Sequence, residues 1–203
     1  MKKNVIIGGL LAWNLILMAV LLYVLATWRR PASALVPNGN LETAKATEEN
    51  GPQEFNFQAG QRLNSDVAPQ IANRGLAITA RFDAQDQDGV IIAQGGLAHG
   101  YALYVQNGEL FFAARRNQTL TTVSAGKLAA GRHTIRANWT KAGDLTLAVD
   151  GGPPATAKAG GAMTVTPTDG LDVGADQYAP VGPYEAPNTF GGTIEVVSLK
   201  TIP

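Results

Sequence analysis

Not one of the 203 residues is cysteine, and that absence removes disulfides, thiol nucleophiles, thiolate metal sites and a lipidated N-terminal cysteine. Histidine is nearly as scarce, with His99 and His133 the two in the chain. Charged residues amount to 16%, divided evenly between 16 basic and 16 acidic side chains. Four of the basic ones, Lys2, Lys3, Arg29 and Arg30, flank an apolar N-terminal stretch. Without those four, 12 basic residues face 16 acidic ones, a balance of −4 that excludes the electrostatic footprint of a nucleic-acid-binding protein. Beyond the N-terminal stretch no amphipathic helix of four turns can be drawn, which argues against an α/β architecture.

What the chain has in abundance is placed unevenly. Residues 5–28 read VIIGGLLAWNLILMAVLLYVLATW, 24 positions without a charge. About 20 helical residues rising ~1.5 Å each cross a bilayer core of ~30 Å, so residues 1–28 are expected to form a transmembrane helix, a signal anchor. Tyr23, Trp28, Arg29 and Arg30 suit one membrane interface and Lys2 and Lys3 the other. A cleaved signal peptide is the competing reading, because Ala32-Ser33-Ala34 has the small-x-small form. Its apolar core should be only about 7–15 residues, however. A short tail before a large C-terminal domain places the N-terminus in the cytoplasm and the domain on the periplasmic or extracytoplasmic side of an inner membrane.

Asn14 lies near the middle of this helix. An amide in hydrocarbon either bonds a neighbouring helix or bonds back to its own, and Gly8 and Ala12 supply a small-xxx-small pair that permits close approach. The expected partners are therefore the lipid bilayer and, through Asn14, Gly8 and Ala12, other membrane-protein subunits.

Residues 29–68 are rich in Pro, Gly, Asn and charge with no sustained apolar period, and are expected to be an extended linker. From residue 69 to 203 the pattern becomes short β-branched and aromatic runs punctuated by Gly, Asn-Gly or Asp-Gly. Strands are expected over 76–83, 90–94, 101–106, 109–115, 120–124, 133–140, 145–150, 164–166, 171–174 and 193–199. Asn107-Gly108 between two alternating runs marks a tight hairpin, and Asp150-Gly151 marks another turn. The fold class is mainly β: an antiparallel β-sandwich of jelly-roll type preceded by one transmembrane helix. Trp139, alternating with Ala137 and Lys141, belongs to the core, while Arg115 and Arg116 bracket a turn and are expected in solvent.

Residues 88–151, beginning DGVIIAQGGLAHGYALYVQNGELFFAARR, resemble the concanavalin A-like or laminin-G-like jelly roll, most of all the β-sandwich appended to the C-terminus of some bacterial arylsulfatases. The Asp172-Val173-Gly174-x-Asp176 turn and the closing Phe190-x-Gly192-Thr193-Ile194-Glu195 segment continue the likeness, which covers residues 69–202. The arylsulfatase catalytic domain and its nucleophile motif are absent, so sulfatase activity is not implied. Jelly-roll glucanases carry Glu-x-Asp-x-x-Glu on one strand so that alternation brings an acid and a nucleophile to one face. No strand here does, Glu195 standing alone and Glu109 beside a hairpin, and no enzymatic activity is expected. The resemblance implies Ca²⁺ as a possible ligand of Asp172 and Asp176, with Asp83 or Asp88; the alternative is that Asp172 and Asp176 cap a turn through backbone N–H groups. No other cofactor is expected.

Residues 176–192 form a long segment with Pro180, Pro183 and Pro187, offering Tyr178 and Tyr184 either for recognition or as cover for the sandwich edge. His99, in a Gly-rich loop, and His133, opening a strand, have no serine and acid partners that spacing can supply. Two functions follow as expectations. The first is a non-catalytic accessory subunit of a larger membrane complex, such as a bacterial respiratory or photosynthetic one, whose sandwich braces or caps it. The alternative is a membrane-tethered glycan-binding, lectin-like domain.

Overall fold

Residues 51–203 are described by the computed structural model, and two sheets packed face to face, antiparallel but for one short pairing, account for most of them. Strands form where β-branched and aromatic residues alternate with polar ones, because successive side chains point to opposite faces. The first sheet runs β1 (Gln53–Phe57), β14 (Thr193–Ile202), β3 (Gly75–Asp83), β8 (Arg132–Trp139), β9 (Asp144–Val149), β10 (Ala155–Lys158) in spatial order. The main path of the second runs β12 (Ala175–Asp176), β13 (Asn188–Thr189), β4 (Gly89–Gly95), β5 (Gly100–Gln106), β6 (Glu109–Arg116), β7 (Thr119–Lys127). A short strand β11 (Leu171–Val173) also pairs β4, and β2 (Arg62–Leu63) pairs β11.

Leu76, Ile78, Ala80 and Phe82 of β3, Ile135, Ala137 and Trp139 of β8, and Val197 and Leu199 of β14 point inward from the first sheet. They meet Tyr101, Leu103 and Val105 of β5 and Leu110, Phe112 and Ala114 of β6. A register shift between Val90 and Ile92 lets consecutive Ile91 and Ile92 both join this core, as a bulge does. The Trp139 indole donates from Nε1 to the carbonyl of Gly161 at 3.0 Å, so its one polar atom is satisfied.

The second sheet is covered on its other face too. Residues 177–187 fold back over it and bury Val181 and Tyr184 against Val90, Ala93, Ala102, Tyr104 and Ala113, with Phe111 and Leu120 at the margin. The Tyr184 ring meets Tyr104 edge-on at 4.9 Å, and Tyr104 stacks on Phe111 at 5.3 Å. Gly182 is required there: a Cβ would lie 2.4 Å from Tyr184 Cε1 and 3.1 Å from Tyr104 Cε1.

Several expectations change. β1 and β2 lie within 29–68, so the sandwich takes in part of the expected linker, with Phe57 2% exposed. β1 forms because its partner, β14, arrives from the far end of the chain. Residues 164–166 are not a strand, and the added edge strand is β10 instead, paired to β9. Arg115 and Arg116 are half-buried, their Nε atoms donating to the carbonyls of Val181 at 2.8 Å and Ala162 at 2.9 Å. Asn107 and Gly108 take positive φ, 53° and 69°, as the tight turn requires, and the Asp88 carboxylate accepts both of their N–H groups at 2.6 and 2.8 Å. The expected anchor, with Asn14, Gly8 and Ala12, lies outside the described residues. Among those described, no helix is long and apolar enough to cross a membrane.

Candidate ligand-binding cleft

Pairing of β2 with β11 sets Arg62 directly opposite Asp172, and opposed residues of an antiparallel pair share a face. The Arg62 guanidinium donates to Asp172 through Nε at 2.6 Å and through Nη2 at 3.4 Å. Its Nη1 donates to the Tyr178 hydroxyl at 3.1 Å, and its Cζ lies 4.8 Å from the centre of the Tyr178 ring, within cation–π range. Hydrogen bonding to Asp172 holds the Arg62 pKa above its ordinary value. Asp172 also accepts from the Gln177 N–H at 3.2 Å. The outcome is a tyrosine ring 75% exposed to solvent yet fixed at its hydroxyl and at its face.

Asp176 is 4% exposed and accepts from the Tyr184 hydroxyl at 2.7 Å and the Val181 N–H at 3.3 Å. Burial pushes its pKa up, the charges of Asp172 and Asp169 add to that, and the Tyr184 and Val181 bonds oppose it. Burial also drives up the pKa of Tyr184, with the Asp176 charge adding to it. These bonds root the covering segment on both sides of the exposed Tyr178.

Beside Tyr178 opens a cleft of about 290 Å³, lined among others by Arg62, Asn64, Ser65, Asp169, Asp172 and Asp176. Its walls combine hydroxyl, amide and carboxylate groups with one aromatic rim, a lining suited to holding a small polyhydroxylated molecule. The two tyrosines singled out by sequence thus part company, Tyr178 facing solvent and Tyr184 packed beneath the segment. Asp172 and Asp176 both line the cleft, and each accepts a backbone N–H from the turn that follows it. Asp88 serves the 107–108 turn instead. Among the described residues, no three His, Cys, Asp or Glu side chains are grouped to hold a metal ion.

The remaining candidates sit elsewhere. Glu195 pairs with Arg132 at 3.3 Å, and Glu109 accepts from the Ser124 hydroxyl. His99 Nδ1 accepts from the Asn117 N–H at 3.4 Å. His133 faces two acceptors, Asp150 Oδ2 and the Ala129 carbonyl, each at 2.8 Å, an arrangement both ring nitrogens satisfy only as donors of an imidazolium. Arg62, which organises the cleft, has no signal in the sequence, because its partners stand more than a hundred residues away.

No family model matches the chain, and no curated protein matches it in sequence. Solved structures do. Domains LG4-5 of the mouse laminin alpha1 chain match with a TM-score of 0.55 at 21% identity, over 72% of this chain and 40% of that one. The CBM40 of the Ruminococcus gnavus IT-sialidase, bound to alpha2,3 sialyllactose, matches at 0.49 and 16%, over 73% of this chain and 89% of that one. The LG1-3 region of the laminin alpha2 chain matches at 0.49 and 8%, over 74% and 30%. The first of these establishes the fold as a laminin-G-like antiparallel β-sandwich. The likeness to the sandwich appended to arylsulfatases is not shown by them.

Proposed function

We propose that this chain is a glycan-binding β-sandwich that acts by recognition rather than catalysis, held at a membrane by the helix expected over residues 1–28 with the domain on the extracytoplasmic side. The observation that carries the reading is the fixed, solvent-facing Tyr178 ring at the rim of a polar cleft. A saccharide presents C–H groups on its ring faces and hydroxyls at its edges. The electron-rich face of an aromatic ring attracts the former, and Asn64, Ser65 and Asp169 offer partners for the latter. Because Arg62 and Asp172 hold the tyrosine before any ligand arrives, little ordering cost remains to be met on binding.

This reading puts the tethered lectin-like alternative ahead of the accessory-subunit expectation, which rested on Asn14, Gly8 and Ala12, outside the described residues. The test is a glycan array probed with the full chain in lipid nanodiscs, beside Tyr178→Ala and Arg62→Ala. Saccharide signals that both substitutions abolish support the proposal, and signals that survive both, or a blank array with wild type, refute it.

A further inference from the structure

The cleft does not end at Asp169. A second cavity of about 400 Å³ adjoins it and shares Thr168, Asp169 and Ala179 with it, so these three residues form a common wall. The packing of that wall is close, since a Cβ at Gly96 would come within 2.7 Å of both Ala179 Cβ and Asp169 Oδ2. Among the described residues, the Asp169 carboxylate at this junction makes no hydrogen bond or ion pair, which leaves an acceptor open to whatever spans the two spaces.

The two spaces differ in the balance of their linings. The first sets Arg62, Asn64, Ser65 and Asp172 beside Leu63 and Ala93. Leu97, Ala98, Val165 and Pro167 line the second together with His99 and Thr166. Leu97 is 59% exposed and Val165 45%, two aliphatic side chains from separate loops left in water beside one groove. Single exposed apolar residues are ordinary on a protein surface, but a pair lining a concavity that shares a wall with a polar cleft forms a patch that an apolar group would dry.

We infer that the ligand is a glycoside bearing an apolar substituent: the sugar occupies the cleft beside Tyr178, and an alkyl or acyl group crosses the shared wall to lie between Leu97 and Val165. This rests on the glycan reading and narrows it to one chemical class. The polar cleft suits the sugar ring's hydroxyls, Asp169 accepts from a hydroxyl next to the substituent, and the second space gains by losing water to hydrocarbon.

The test is calorimetric titration of the full chain in lipid nanodiscs with the methyl and n-butyl glycosides of glucose, galactose and mannose, chains too short to act as detergents. The butyl form of whichever sugar binds is expected to bind about tenfold more tightly than its methyl form, or about 1.4 kcal/mol, roughly half of what full burial of three methylenes provides. The Leu97→Ser/Val165→Thr double variant, altered at exposed loop positions, should keep methyl-glycoside affinity and bring the butyl gain below about twofold. Equal affinity of methyl and butyl forms in wild type would overturn this inference while leaving the glycan reading intact, and a butyl gain that persists in the double variant would overturn it as well. Binding of none of the six glycosides would remove both together.

Discussion

The two sheets of this sandwich are buried in different ways, and the difference sets where the cleft forms. The first is buried on one face: in β3 the inward Leu76, Ile78, Ala80 and Phe82 alternate with Ala77, Thr79 and Arg81, which are more open. The second is buried on both over its central strands, β4 having no exposed residue from end to end, because residues 177–187 cover their outer face. A one-faced sheet alternates in sequence, and a two-faced one reads as a continuous apolar run. The covering segment costs the protein a second, smaller core with polar atoms inside it, and in exchange it fixes Tyr178 at the lip of the cleft.

Substitutions can break that contrast, beginning with the larger core. Trp139→Ala empties the space between the sheets and is expected to destabilise the domain by about 3–5 kcal/mol, measured by urea unfolding. A cost below about 1 kcal/mol would mean that the inter-sheet core does not dominate stability. In the smaller core, Tyr184→Phe removes the hydroxyl that donates to buried Asp176 and is expected to cost about 1–3 kcal/mol in the same assay.

A pH series probes the start of β8, an inner strand of the first sheet, away from the covering segment. Burial lowers the His133 pKa, but the bonds to Asp150 and the Ala129 carbonyl, with the charges of Asp150 and Asp83, raise it by more. A folded-state pKa above the unfolded value of 6.5 means that the contribution is complete below about pH 6.5 and is lost as pH rises through the folded value. Asp150 is shifted down, by the Thr134 N–H first and by His133 next, so its contribution is present above about pH 4 and is lost as pH falls further. The unfolding free energy from urea titration should therefore be higher at pH 6 than at pH 8 by less than about 1 kcal/mol, given partial exposure, and His133→Gln should flatten the difference. An unchanged slope in that variant would assign it to another group.

The smallest effect is expected at Tyr104. Its hydroxyl is buried without a hydrogen-bond partner among the described residues, so Tyr104→Phe removes an unsatisfied group and should be neutral or stabilising by about 0.5 kcal/mol. Set beside Tyr184→Phe, it separates a hydroxyl that holds the segment down from one that merely lies beneath it. A loss as large as that of Tyr184→Phe would show that Tyr104 has a polar role.

Legibility in the sequence follows the same division. β3, β8 and β9 announce themselves by period-2 alternation, β4 to β6 by apolar runs, and the hairpins by turns such as Asn107-Gly108 and Asp150-Gly151, whose residues take the positive φ that their types suggest. Trp139 was readable as core for the same reason. β1 and β2 were not, being short and lying among Gly, Asn and Gln, with partners at the other end of the chain. The pattern Phe55-Asn56-Phe57 was the one local sign of β1. Asp172, Asp176, Tyr178 and Tyr184 stood out by residue type and by the prolines around them. Which tyrosine faces water was not legible, because that depends on how residues 177–187 lie on a sheet formed eighty residues earlier.

The most direct test of the account is the affinity of the full chain for a glycan identified on the array, measured by calorimetry for wild type, Tyr178→Ala and Tyr184→Phe. Loss of the exposed ring should weaken binding about tenfold or more, on the order of an aromatic contact and its buried area, while Tyr184→Phe should bind within about twofold of wild type despite its lower stability. Equal affinity of Tyr178→Ala and wild type would contradict the claim that the pinned tyrosine beside the Arg62–Asp172 pair is the recognition surface.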